Sequence, residues 1–201
     1  EEIDNSPTQN LGSTVKPGDI KYRDVNGDGK IDGSDQVMIS PYGTTPRIQY
    51  GLGMNVTYKK FDFGVFFNGS AKRTIMISGI SPFGQSDYNV MQFIADDYWS
   101  ESNPNPNAKY PRLTSEGSAN NYTTNSLWVA DASYMKLRTL ELYYNFSQEM
   151  MKKSKFIKGA KVFARGHDLF CVDKIKVLDP ENIGTNHPTM TQYTFGVNLS
   201  F

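Results

Sequence analysis

Cysteine is nearly missing from this chain. Of its 201 residues only Cys171 is one, so no intrachain disulfide can form and no redox pair is implied. Histidine is almost as scarce, with His167 and His187 alone, and no zinc spacing, nucleophile elbow or phosphate-cradling loop accompanies them. Net charge is missing too. The 21 basic and 21 acidic residues cancel, which argues against a nucleic-acid binder, whose footprint is basic. No run approaches the ~20 apolar residues of a membrane helix. The adjacent carboxylates Asp96 and Asp97 are suited in principle to acid–base work, but neighbouring acids in a polar loop are ordinarily solvated. These absences leave little support for an enzyme.

What is abundant is aromatic: Tyr and Phe stand at 12 each. Rings at this frequency suit strands and the interface girdles of a membrane barrel. The mean hydropathy of -0.53 reads as that of a soluble protein. A transmembrane barrel escapes that test, because its strands alternate apolar and polar residues and average out. The chain begins at Glu1 with no initiator Met and no signal-like apolar segment, which predicts a fragment or a processed piece.

Residues 1–23 are polar and lack periodicity, and a Gly/Asp-rich loop follows at 24–35. Strand character then appears at 48–58, at 61–70 with a possible extension through Ile75 and Ile77, at 134–146, at 160–170 and at 192–201. Helical signals are weak, with a turn or two expected at 89–99 and 148–155. The connections alternate: short at 59–60, long and polar at 71–133, short and Lys-rich at 147–159, long at 171–191. Such alternation is the up-and-down pattern of an outer-membrane barrel, with short periplasmic turns and long extracellular loops. The predicted division is a loop region over 1–47 and barrel strands over 48–201.

The last strand carries the clearest pattern. Tyr193, Phe195, Val197, Leu199 and Phe201 fall on one face; Gln192, Thr194, Gly196, Asn198 and Ser200 fall on the other. Period two with one wholly apolar face is a half-buried strand. Ten residues at ~3.3 Å each cover ~33 Å, which suits a tilted membrane-spanning strand. A terminal Phe201 after alternating aromatics matches the signal read by the outer-membrane assembly machinery. The strand at 61–70 repeats the pattern, with Phe61, Phe63, Val65 and Phe67 in phase and Phe66 an exception. At 134–146 the phase slips: Met135 and Leu137 lie on one parity, Leu140, Leu142, Tyr144 and Phe146 on the other. A bulge near Arg138-Thr139 would reconcile them. These features predict an all-β, antiparallel, up-and-down transmembrane barrel segment with long extracellular loops.

The loop at 24–35 spells a calcium motif. Asp24, Asn26 and Asp28 take positions 1, 3 and 5, Gly29 the sharp turn, and the Lys30 carbonyl position 7. Asp32 falls at position 9, and Asp35 at position 12, where the longer Glu is usual. The amphipathic helices of an EF-hand are missing on both sides, so the motif predicts a structural Ca2+ loop rather than that fold. The alternative is a hydrophilic Asp-Gly turn without metal.

Several segments together resemble SusC/RagA-type TonB-dependent transporters of Bacteroidetes. They are 17–32 (PGDIKYRDVNGDGKID), 46–51 (PRIQYG), 98–100 (YWS) with 110–113 (YPRL), 131–138 (DASYMKLR), Leu169-Phe170 with 178–181 (LDPE), and 196–201 (GVNLSF). The resemblance covers nearly the whole chain in order. It implies the last five or so strands of a barrel of roughly 22 strands, importing glycans or peptides. It also implies partners: TonB through an N-terminal region outside this sequence, a SusD-like surface lipoprotein as lid, the rest of the barrel, and outer-membrane lipid. Tyr98, Trp99, Tyr110 and Tyr122 in the 71–133 loop are then the candidates for lid or substrate contact. A competing reading is a secreted, calcium-stabilised β-domain whose Tyr and Trp residues stack on carbohydrate.

Overall fold

The computed structural model describes residues 2–77, 90–114, 118–152, 156–182 and 187–201. Residues 78–89 and 115–117 of the predicted 71–133 loop therefore lie outside the described residues, as do 153–155 of the Lys-rich link and 183–186 of the 171–191 loop. The chain divides into two compact units: Glu1–Pro41 with Met76–Ala130, and Tyr42–Ile75 with Asp131–Phe201.

The second unit is built on one antiparallel sheet. Its strands are β3 (Ile48–Tyr58), β4 (Phe61–Ala71), β7 (Tyr134–Asn145), β8 (Gly159–Asp173) and β9 (Gln192–Ser200), paired in that order. The remaining strands are short: β1 (Thr8–Gln9) pairs with β2 (Lys30–Ile31), and β5 (Thr74–Met76) pairs with β6 (Val129–Asp131). The possible extension of β4 into β5 does not form, because Lys72 turns the chain with φ at 57°. One-turn helices α1 (Gln92–Ala95), α2 (Ala119–Tyr122) and α3 (Gln148–Met151) and a 3-10 turn at Gly33–Asp35 complete the described elements.

The register explains the alternation. Residues directly opposite across an antiparallel pair share a face. Val56 faces Phe63, Phe63 faces Leu142, Leu142 faces Ala164, and Ala164 faces Phe195. The rows on either side repeat this, so one face is apolar across all five strands and carries no charge. Many of their side chains are open, Leu52 at 69% exposed and Phe195 at 76%, while Leu137 is buried. The phase slip in β7 is resolved by the register shift between Leu137 and Thr139, where Arg138 is the extra residue. Leu137 then lies between Phe67 and Phe170 in register, and those two rings approach to 6.4 Å. Phe66 lies on the polar face, where its ring rests over Gly51 and Gly53; a Cβ at either would meet it at 3.2–3.3 Å.

The first unit joins two stretches that the sequence shows as separate polar loops. Its core is Ile94, Tyr110 and Trp128. Tyr110 stacks on Trp128 with centroids 6.0 Å apart, and Phe93 meets Tyr110 edge-on. Around this small core the unit is knitted by buried asparagines. Asn121 accepts from the Ile20 amide at 2.9 Å and donates to Asp19, which also pairs with Arg112 at 2.6 Å and accepts from the Lys16 amide. Trp128 Nε1 donates to the Asn121 carbonyl, and the Tyr22 hydroxyl to that of Asn120. Asn120 and Asn121 are fully buried, and Asn120 Oδ1 has no protein partner among the described residues. Gly18, at φ +83°, lies under Trp99, where a Cβ would overlap the ring.

Candidate functional site

The polar face of the sheet concentrates the titratable groups of the second unit. Near the short turns, Asp62 binds Thr57 at 2.9 Å and Asn145 at 2.7 Å and lies 3.6 Å from Lys161. Beside it, Arg165 pairs with Glu141 at 2.6 Å and donates to the Tyr143 hydroxyl at 2.7 Å. Toward the long loops the charges become buried. Lys136, 4% exposed, reaches Asp179 at 2.8 Å and Glu181 at 2.9 Å. Arg138, lifted out of register by the bulge, pairs with Asp168 and with Glu181. The Tyr134 hydroxyl donates to Glu181 at 2.6 Å, and Arg73 donates to the Pro180 carbonyl at 2.7 Å. The segment 178–181 is thus strapped onto β7. Burial works to raise the carboxyls of Asp179 and Glu181. Bonds from Lys136 and Thr189 to Asp179, and from Tyr134, Lys136 and Arg138 to Glu181, outweigh it and hold both below the usual carboxylate range. Next to this cluster a cavity of about 670 Å³ is lined by Phe66, Asn68, Ser70, Arg73 and Glu181 among others. The Ser70 hydroxyl there is buried with no partner among the described residues.

The four aromatics predicted to make lid or substrate contacts all fall in the first unit. Tyr110 is part of its core, and Tyr98 and Tyr122 pack against that core. Trp99 lines a separate cavity of about 730 Å³ formed by residues within 2–22. Phe201 is exposed, next to the end of β9. Asp96 accepts from the side chain of Gln92 at 2.6 Å.

The 24–35 loop is shaped by its own side chains. Asp24 accepts from the amides of Gly27 and Gly29, Asn26 Oδ1 from Asp28, Asp28 from Lys30, and Asp32 from Ser34. Asp35 closes the loop by accepting from Asp32 and Val25, which holds its carboxyl below the ordinary range. The amides of Thr8 in β1 and of Asn10 just after it donate to the Gly29 and Ile31 carbonyls, and strand geometry turns the Lys30 carbonyl to the opposite side. The donors are hard oxygens of the kind calcium prefers. Among the described residues, however, no three acidic, His or Cys side chains are gathered as a cation would gather them.

No protein-family model matches the chain. Over 100% of its length it is 28% identical to TonB-dependent receptor P26 of Formosa agariphila, of which it covers 21%. It is 25% identical to TonB-dependent receptor SusC of Bacteroides thetaiotaomicron over 92% of this chain and 18% of that one. The chain is a homologue of TonB-dependent receptors. It spans about a fifth of the length of the curated relatives it matches. Among solved structures, the RagAB peptide importer in its closed-closed state matches 89% of this chain and 20% of its own, with a TM-score of 0.63 and 21% identity. The open-open state matches with a TM-score of 0.60. At that identity the likeness is one of fold: the five-stranded sheet of this receptor homologue is a fragment of a β-barrel. Its relatives are named as receptors and importers, not enzymes.

Proposed function

We propose that this chain is the C-terminal wall of an outer-membrane importer that takes up glycans or peptides, driven through TonB and lidded by a SusD-like surface lipoprotein. The observation that carries this reading is the uncharged apolar face shared by all five strands. Soluble monomers rarely expose contiguous apolar patches beyond a few hundred Å², which counts against the secreted carbohydrate-binding domain. Strands of 9 to 15 residues are long enough to cross a bilayer at a tilt. The apolar face meets lipid and the polar face lines the lumen. Phe201 and the short turns lie on the periplasmic side, and Asp24–Asp35 outside. Both sheet edges require strands from the rest of the barrel, since unpaired backbone is not tolerated in lipid. The full-length protein is expected in the outer-membrane fraction, extractable only by detergent. Recovery of residues 1–201 alone as a soluble, folded monomer would sink the proposal.

The same reading assigns the acidic loop a structural calcium ion, held by Asp24, Asn26, Asp28, Asp35, the Lys30 carbonyl and Asp32 directly or through water. The bonded carboxylate oxygens of Asp24, Asp28 and Asp32 each accept one hydrogen bond and keep a second lone pair, so these bonds do not exhaust the donors. Calorimetric titration of the full-length protein at millimolar calcium is expected to show binding heat that Asp24→Ala removes. Equal heat in both proteins, or none, would dismiss the ion.

A further inference from the structure

The lysines of the two short turns differ from the cations within the strands of the sheet, which are all paired. Lys161 approaches Asp62, Arg165 pairs with Glu141, Lys136 and Arg138 with the carboxylates near Glu181, and Lys174 with Asp131. Lys59, Lys60, Lys152 and Lys158 are exposed and make no ion pair among the described residues. Exposed rings accompany them: Tyr58, Phe61, Phe156 and Phe201. The register gathers them at one end of the sheet. Tyr58 faces Phe61, which faces Tyr144 with ring centroids 5.0 Å apart. The Lys158 amide donates to the Ser200 carbonyl, which brings Phe201 alongside. The Lys59 ammonium lies 5.2 Å from the Tyr58 ring centroid.

We infer that this end of the sheet binds the anionic headgroups of phospholipids in the adjoining leaflet. The inference rests on the membrane-spanning reading above. A row of rings at the end of an apolar face marks the depth where hydrocarbon gives way to headgroups. Ammonium groups just beyond that row, on flexible stems and without an ion pair among the described residues, stand where phosphodiesters lie. Anionic lipid supplies both halves of the match, apolar first and negative next. A protein partner would need a surface built to the same order.

The test uses the full-length protein in detergent, with lipid adducts counted by native mass spectrometry after mixing with phosphatidylglycerol or phosphatidylethanolamine. Wild type is expected to retain phosphatidylglycerol preferentially. The Lys59→Gln/Lys60→Gln/Lys158→Gln variant should lose that preference, by up to about fivefold per lysine, while the corresponding Arg variant keeps it. Heat-dependent gel mobility reports whether each variant has a folded barrel. Equal retention of both lipids by wild type, or a preference untouched in the Gln variant, would overturn the inference and leave the importer reading intact. Stronger binding of lipopolysaccharide would also overturn it, by placing these turns in the opposite leaflet. A full-length protein that never enters the membrane fraction would remove both readings together.

Discussion

Arginine in place of Leu140 is expected to block assembly of the barrel. Leu140 lies in the middle of β7, in register with Val65 on one side and Gly166 on the other. Every residue in its row is apolar, so a guanidinium there has no carboxylate to meet on its own face. Arg or Lys near the bilayer midplane of a barrel costs about 2–4 kcal/mol. A control separates depth from bulk: Asn55→Arg places the same side chain on the polar face, where Asn55 lies opposite Gly64 and Gly64 opposite Glu141. The readout is the amount of heat-modifiable full-length protein in the outer-membrane fraction. Severe loss for Leu140→Arg with near-normal levels for Asn55→Arg supports the assignment of faces. Equal behaviour of the two variants would contradict it.

The second large effect is expected at Lys136. This side chain is almost fully buried and neutralises Asp179, itself 7% exposed on its side chain, and part of Glu181. Lys136→Met leaves Asp179 buried without its cation, while Glu181 retains Arg138 and Tyr134. Breaking a buried pair from one side costs roughly 3–5 kcal/mol. Amide exchange over 175–182 should therefore accelerate by about two orders of magnitude or more, at 1.4 kcal/mol per tenfold. Adding Asp179→Asn should restore part of the protection, because the stranded charge is gone. Unchanged exchange in Lys136→Met would show that the strap does not depend on this pair. The pH dependence has a definite sign. Asp179 and Glu181 are depressed in the folded chain, so their contribution is fully present above the ordinary carboxylate range near pH 4. It is lost only as pH falls through their lowered values. Protection of this segment should thus be flat through neutral pH and fail only in strong acid.

The strands were legible because alternation is written one residue at a time. Ile48–Tyr58 forms as predicted, and the slip between Leu137 and Leu140 points to a bulge near Arg138-Thr139, where the register shifts. The predicted start at 160 falls one residue inside β8, which continues past 170 to Asp173. The first unit was not legible. Its core is three apolar residues far apart in sequence, and much of its cohesion comes from Asn120, Asn121 and Asp19. Buried asparagines look like loop residues until their partners are known, and no periodicity marks a core held by hydrogen bonds. The strap was invisible for a related reason. Lys136 and Asp179 lie 43 positions apart, and nothing local distinguishes a lysine that will be buried from one that will face water. Tyr110 illustrates the ambiguity of aromatic residues in loops: its ring serves packing against Trp128, which residue type alone does not show.

Phe66, lying flat over Gly51 and Gly53, bears on how the sheet bends. Gly51, Gly53, Gly64 and Gly196 all fall on the polar face by register. A surface with gaps in its side chains can shorten without crowding, whereas the Tyr, Phe and Leu rows opposite must fan apart. Glycine at such points is a known device for introducing curvature into a sheet. On the apolar side only Gly69 and Gly166 leave such gaps in these strands, so side-chain crowding opposes a bend toward the polar side less than one away from it. Filling Gly53 with a side chain would displace the ring and flatten the wall at that point, a change in barrel radius brought about without touching a single charge.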